Sequence, residues 1–270
     1  MQEGISYIAA GELPCLLVNV QRGGPGLGTI QPGQSDYFQS VKGGGHGDYK
    51  LIVLAPATVQ EMADFVKLSF DLAFKYRNPV MILTDGALGQ MMEKVEFSPQ
   101  EERTTEILDW AIVGKPENRE HNVITTLHIK PDQMELINIH LQKKYKEIEE
   151  NEIRYEEIMC EDADYIITAF GLVARICTKA AELAREKGLK VGVIRPISLF
   201  PFPYAQIKSH TDKIKGILDV EMNAGQMLED VKLSVEGKVP VEFYGRMGGI
   251  VPTPDEILES LESYIAGGKL

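Results

Sequence analysis

Asn19-Val20-Gln21-Arg22-Gly23-Gly24-Pro25-Gly26-Leu27-Gly28-Thr29-Ile30-Gln31 is the stretch from which the rest of the chain can be read. The run ahead of it, Pro14-Cys15-Leu16-Leu17-Val18-Asn19-Val20, has the length and composition of a strand. It enters one charged residue, Arg22, and then a glycine-dense loop. Ligands of open α/β sheets bind at the carboxyl ends of strands. Glycines allow close backbone approach there, and a guanidinium matches a carboxylate through two parallel hydrogen bonds. Two phosphate-binding loops are excluded by spacing. Thr29 follows Gly28 directly, without the lysine of a nucleoside-triphosphate loop, and Gly24, Gly26 and Gly28 are followed by Ile30-Gln31-Pro32-Gly33, which opens no helix. A tight exposed turn with a surface arginine is the alternative reading of the same residues.

Outward from this stretch, apolar strands alternate with amphipathic helices. Residues 1–13 carry the end of a helix, with Ile5, Ile8 and Ala9 on one face. Gly43-Gly44-Gly45-His46-Gly47-Asp48 leads into a strand at 51–55, a helix from about Thr58 to Tyr76 with a stripe of Val59, Met62, Ala63, Val66, Phe70 and Ala73, and a strand at 80–83. Residues 133–160 read as one long, charged, solvated helix. A second set follows: strands at 165–169, 190–194, 216–220 and 241–244, helices at 172–187 and 225–235, and a last helix from Thr253 with Pro254 in its first turn. The expected fold is α/β with two open parallel-sheet domains. The expected division is 1–130, a helical connector 131–161, and 162–270.

With 270 residues, 44% of them apolar, the chain is long enough for such cores. The formal net charge of −12 argues against nucleic acid or an anionic membrane as partner. Cys15, Cys160 and Cys177 are isolated, which fits a reducing cytoplasm and excludes an iron–sulfur cluster by spacing. His46, His121, His128, His140 and His210 do not fall in metal-ligand spacing. No signal peptide or membrane-length apolar run is present.

Several runs together carry a family resemblance. They are Gln2-Glu3-Gly4-Ile5-Ser6, Gln21 to Gly28, Lys42 to Tyr49, Leu54-Ala55-Pro56, Lys75 to Val80, Leu88-Gly89-Gln90-Met91, Arg195 to Pro203 and Glu221 to Met227. The chain resembles the alpha-type subunit of 2-oxoacid:ferredoxin oxidoreductases, nearest the 2-oxoisovalerate (branched-chain) enzymes, with the 2-oxoglutarate enzymes as neighbours. The resemblance implies a pyrimidine-type domain of a thiamine-diphosphate enzyme followed by a transketolase C-terminal-like domain. It implies oxidative decarboxylation of a 2-oxoacid to acyl-CoA and carbon dioxide. Thiamine diphosphate and magnesium would be shared with a partner subunit. Iron–sulfur clusters would lie on a ferredoxin-like subunit that passes electrons to ferredoxin, and coenzyme A would bind the complex, a hetero-oligomer. By resemblance Arg22 clamps the substrate carboxylate and Gly23, Gly24, Pro25 and Gly26 form its loop. His46 has two readings, a polar contact in the site or a structural hydrogen bond, the second favoured.

Two family features are not found. The glutamate that contacts the aminopyrimidine ring is expected upstream of Met1, and neither Glu3 nor Glu12 should stand in for it. A Gly-Asp-Gly diphosphate signature is absent, as expected for this subunit type, so the chain is expected to be inactive alone. The alternatives are a 2-oxoglutarate enzyme subunit, a truncated non-catalytic fragment, and the beta-type subunit of a lipoamide-linked dehydrogenase. The turn Glu221 to Gln226 is expected to be a domain contact rather than an anion site, and Gly245 to Gly249 a turn or an interface.

Overall fold

The computed structural model describes residues 2–97, 99, 107–115, 117–118 and 120–270. Helix α1 (Gln2–Ala10) buries Ile5 and Ala9 and leads to strand β1 (Cys15–Gln21). The short helix α2 (Tyr37–Val41), strand β2 (Ile52–Leu54), helix α3 (Val59–Tyr76) and strand β3 (Pro79–Asp85) follow. The strands lie parallel in the order β1–β3–β2. β3 is covered on both faces and buried throughout, so its apolar run does not alternate. β1 is an edge strand and alternates: Val18 and Val20 stay about half exposed while Gln21 is buried.

Thr58 caps α3 by accepting the Glu61 N–H. The helix buries Phe65, Ser69, Leu72, Ala73 and Tyr76, a set that shares Ala73 alone with the expected stripe, and Val66 is exposed. It carries apolar side chains on two neighbouring stripes. Packing on β3 and β1 selects the one with the larger side chains.

The chain continues through helix α4 (Pro131–Asn151), strand β4 (Tyr155–Ile158), strand β5 (Tyr165–Thr168), helix α5 (Gly171–Glu186), strands β6 (Val191–Pro196) and β7 (Ser198–Phe200) and helix α6 (Tyr204–His210). Strand β8 (Gly216–Glu221), helix α7 (Leu228–Val235), strand β9 (Val241–Gly245) and helix α8 (Pro254–Ala266) complete it. The second sheet has the order β4–β6–β5–β8–β9. Its strands are parallel except β4, which pairs antiparallel with β6. Thr253 and Glu256 form a capping box around Pro254 at the start of α8.

The expected connector is therefore only partly helical. α4 ends at Asn151, and β4 joins the second sheet. Nor is α4 solvated all round: Leu141, Lys144, Tyr145 and Ile148 form a buried stripe at helical spacing. The two sheets are also not wholly parallel. After β6, the run Arg195 to Pro203 crosses back and places β7 antiparallel to β2 in the first sheet. Its first residue, Arg195, is nearly buried and holds both Glu61 Oε atoms at 2.6–2.7 Å and Glu156 Oε2 at 2.9 Å. One cluster of buried side chains consequently runs from Ile5 and Tyr37 through Tyr145 to Phe200 and Val239. Among the described residues no helix is long and apolar enough to cross a membrane.

Candidate functional site

β1 and β3 stay in register to their carboxyl ends, where Gln21 lies opposite Asp85. The buried Gln21 side chain donates to Thr84 O at 3.3 Å and accepts from Asp36 N at 2.9 Å. Asn19 donates to Asp36 Oδ2 at 3.0 Å. Asp85 accepts the Ala87 and Leu88 N–H groups, and burial pushes its carboxyl above the usual range. Arg22 comes next. Its backbone is bridged to Pro32 and its side chain is exposed. Among the described residues its guanidinium has no ion pair or hydrogen bond.

The loop closes through Gly23 N–H to Gln31 O and Thr29 N–H to Gly23 O, both 2.8 Å. A Cβ on Gly23 would lie 2.7 Å from Gly248 C and Gly249 N, so only glycine lets the loop pass beneath residues 248–249. Gly28 has φ +55°, and a Cβ there would run into Gly23 O. Thr29 Oγ1 donates to Gly248 O at 3.4 Å. The loop is thus pinned at its base by the second half of the chain. At its tip, Gly24, Pro25, Gly26 and Leu27 are exposed. The turn at Gly245 is an intramolecular contact, and Arg246 donates to Glu256 Oε1 at 2.6 Å.

Behind the loop lies a joint between the halves, and its key residue, Gln34, carries no signal in the sequence. Gln34 is 1% exposed. Its N–H donates to Met222 O at 3.0 Å, its Oε1 accepts from Met222 N at 3.0 Å, and its Nε2 donates to Phe170 O at 2.9 Å. Asn223 Nδ2 donates to Gln34 O at 2.8 Å, and Gln226 Nε2 donates to Ser35 O at 2.8 Å. The 221–226 turn is therefore a contact between the halves. It is no anion site, because Glu221 itself accepts the Met227 and Leu228 N–H groups at the start of α7.

Glu221 shares the buried end of β8 with Asp219, two residues earlier on the same face. Asp219 Oδ1 accepts from Thr168 Oγ1 at 2.7 Å, while Oδ2 has no hydrogen-bond partner among the described residues. Burial, then the nearby Glu221 charge, push the Asp219 carboxyl well above the usual range; burial also raises Glu221. Two buried carboxylates this close favour keeping one proton between them. A raised carboxyl pKa contributes stability that is complete below the unfolded value and is lost as pH rises through the folded value. Asp219→Asn is expected to remove that loss, leaving unfolding free energy less dependent on pH above the ordinary carboxylate range. Denaturant unfolding of both proteins across pH checks this, and parallel pH profiles would sink the idea.

The structure does not bring His46 into the Arg22 group. Its loop lies against the start of α1, where Ser6 Oγ donates to His46 O and Gly45 N–H donates to Tyr49 Oη at 2.9 Å. Its imidazole is exposed without a hydrogen bond among the described residues. None of these contacts involves the residues that hold loop 22–33. Two surface cavities, of about 570 and 380 Å³, are lined by Gln60, Asp64 and Phe97 and by Glu12, Arg77 and His140 respectively, neither by Arg22 or His46. Glu12 is ion-paired with Lys144 at 3.1 Å. Among the described residues no three His, Cys, Asp or Glu side chains gather as metal ligands. All three cysteines are free; burial pushes the Cys160 thiol up to about 11 and holds the Cys177 thiol well above its ordinary value.

Family models match both halves of the chain. Residues 1–160 match the thiamine-diphosphate-binding domain of pyruvate flavodoxin/ferredoxin oxidoreductases, and residues 163–257 match pyruvate:ferredoxin oxidoreductase core domain II. The ketoisovalerate oxidoreductase subunit VorB of Methanothermobacter thermautotrophicus is 46% identical over 266 residues, covering 98% of this chain and 75% of that protein. A 2-oxoglutarate:ferredoxin oxidoreductase from Magnetococcus marinus, solved with 2-oxoglutarate, coenzyme A and succinyl-CoA bound, aligns with a TM-score of 0.79 at 26% identity, over 98% of this chain and 51% of that one. A split-gene transketolase shares the fold at 13% identity with a TM-score of 0.57, over 96% of this chain and 69% of that one. The chain belongs to the 2-oxoacid:ferredoxin oxidoreductases, as a subunit joining their thiamine-diphosphate-binding domain to core domain II.

Proposed function

We propose that the chain supplies the substrate-carboxylate side of the active site in an oxidoreductase that converts 2-oxoisovalerate, or another branched-chain 2-oxoacid, to acyl-CoA and carbon dioxide. The observation that carries this reading is Arg22, an exposed guanidinium without a partner among the described residues, at the carboxyl end of β1 on a loop pinned beneath residues 248–249. Such a group holds a 2-oxoacid carboxylate in a fixed plane and so orients the adjoining carbonyl. Gly23, Gly24, Pro25 and Gly26 form the rim. His46 enters only as a polar residue of a neighbouring loop.

Thiamine diphosphate, when bound, supplies the nucleophilic carbon and accepts the electron pair released with carbon dioxide. Its diphosphate and magnesium are assigned to a partner subunit. Carboxylates following the first sheet's strands are already committed here: Asp85 to two backbone amides, Glu61 to Arg195 and Glu93 to Arg175. Iron–sulfur clusters are assigned to a ferredoxin-like subunit that reduces ferredoxin, since Cys160 and Cys177 are buried apart from Cys15. Free thiols fit a cytoplasmic hetero-oligomer in which this chain is inactive alone. In this arrangement residues 1–130 are the pyrimidine-side unit, 162–270 the carboxy-terminal unit, and 131–161, which carry α4 and β4, the link. The matched family ranges support that division.

Greater similarity to the ketoisovalerate subunit than to the 2-oxoglutarate enzyme supports the branched substrate. The assembled enzyme is expected to have a kcat/KM for 2-oxoisovalerate about 10- to 200-fold above that for 2-oxoglutarate. Steady-state turnover with both acids and ferredoxin as acceptor tests this, and preference for the dicarboxylate would overturn it.

A further inference from the structure

The amino ends of β1 and β3, Cys15 and Pro79, lie side by side at the opposite end of the strands from Arg22. Just ahead of them, the turn after α1 and the end of α3 meet the first half of α4 around a cavity of about 380 Å³. Glu12 and Arg77 line it, and both have left-handed backbone, with φ of +51° and +48°. Four non-glycine residues among the described ones do so, and two of them meet here. Residues with side chains seldom adopt that conformation, and where it persists it clusters at ligand clamps. Arg77 Nε donates to Glu12 O at 3.3 Å, which brings the two residues together. The central carbon of the Arg77 guanidinium lies 4.9 Å from the centre of the Trp110 ring, and its two terminal nitrogens have no acceptor among the described residues. Glu12 Oε1 accepts from Lys144 Nζ and lies beside His140 Nε2, both at 3.1 Å, while Oε2 has no partner among the described residues. Burial raises the Glu12 carboxyl, but Lys144 and His140 outweigh it and hold the group below its ordinary range, so it stays ionised.

We infer that this cavity binds an aliphatic α-amino acid of about valine size as its zwitterion, with the carboxylate on Arg77, the ammonium on Glu12 and the side chain against Ile124, Leu136 and Ile137. The polar side of the cavity offers a fork of free donors and a free carboxylate oxygen next to each other. A simple carboxylate would leave Glu12 Oε2 unpaired, and a simple amine would leave the Arg77 fork unpaired. An α-amino acid carries both groups on one carbon and answers both. The other side is apolar: Ile124 and Ile137 are half-buried and Leu136 is exposed. Arg77 is the one Lys or Arg among the described residues lining the cavity, since Lys144 is turned away to Glu12 and Arg77 O, so an acidic side chain would find no second permanent cation. The volume lies at the small end of ligand pockets, as such a molecule requires.

Calorimetric titration of the full chain carrying Arg22→Ala tests this, because that variant leaves the cavity intact and removes the other free guanidinium from the comparison. L-Valine is expected to bind. Glycine, isovalerate and isobutylamine lack the side chain, the ammonium and the carboxylate respectively, and each should bind at least about tenfold more weakly. Arg77→Lys and Glu12→Gln should each weaken valine binding about tenfold. Both residues also hold the turn, so a third variant separates binding from folding. Leu136 is 67% exposed, and Leu136→Glu places a charge in the apolar wall. It should abolish binding without moving the unfolding temperature. Absence of binding at millimolar valine overturns the proposal. So does isovalerate that binds as tightly as valine, or valine binding indifferent to Arg77→Lys or to Leu136→Glu.

Discussion

Arg22→Ala in the assembled enzyme is expected to lower kcat/KM for the 2-oxoacid by about a hundred- to ten-thousand-fold. Two hydrogen bonds to a charged group are worth about 3–6 kcal/mol together, and each 1.36 kcal/mol is about tenfold in rate. Arg22→Lys keeps the charge but not the fork, so it should recover part of the loss. Neither change should move the unfolding temperature of the chain, because the side chain is exposed and holds nothing in place among the described residues. This separation gives the test its force. If the carboxylate clamp orients the carbonyl, both KM and kcat change, whereas a clamp that only retains substrate raises KM alone. Kinetics indistinguishable from wild type would remove Arg22 from the site and return the loop to an exposed turn.

Much of this arrangement is legible in the amino-acid sequence, for physical reasons. β3, β5, β6 and β8 are covered on both faces, so burial demands the unbroken apolar runs that mark them. Arg22 stands out because it is the one charge at the end of the mostly apolar run of β1, ahead of a glycine-dense loop. β7 does not, since it has three residues between Pro196 and Pro201 and its partner strand, β2, lies far upstream. The buried stripe of α4 is hidden because Lys144 belongs to it, and its ammonium finds Glu12 and Arg77 O, neither near in sequence. Gln34 gives no signal for the same reason: Gln31-Pro32-Gly33-Gln34 reads as a loop, and its partners are Phe170 and Met222. The 221–226 turn is legible because Glu221 precedes a helix start and repels any other anion there. Strand pairing and joints between distant segments arise from tertiary packing, which local pattern does not encode.

Gln34→Ala is expected to cost about 2–5 kcal/mol of stability and to lower the unfolding temperature by roughly 5–15 °C. Truncation leaves Gln34's own backbone bonds intact but strands the buried Met222 N–H without a partner and takes one donor from the buried Phe170 O, the N-cap carbonyl of α5. The joint would not open fully. Beside it, Asp230 still accepts from Tyr37 Oη at 2.6 Å and from Lys42 Nζ and Tyr204 Oη at 2.5 Å. Residues 248–249 cover Gly23 only while the halves keep their spacing, so the loop carrying Arg22 should loosen and KM should rise. Gln34→Glu separates hydrogen bonding from space filling. Its carboxylate can accept from Met222 N–H but has no proton for Phe170 O, and burial raises its pKa. That variant should be weak at neutral pH and recover as pH falls and the carboxyl gains a proton to donate to Phe170 O. Thermal unfolding of both variants at two pH values, with KM measured on the assembled enzyme, decides the matter. Equal destabilisation at both pH values would make Gln34 a space filler, and an unchanged unfolding temperature would mean that the halves are held together elsewhere.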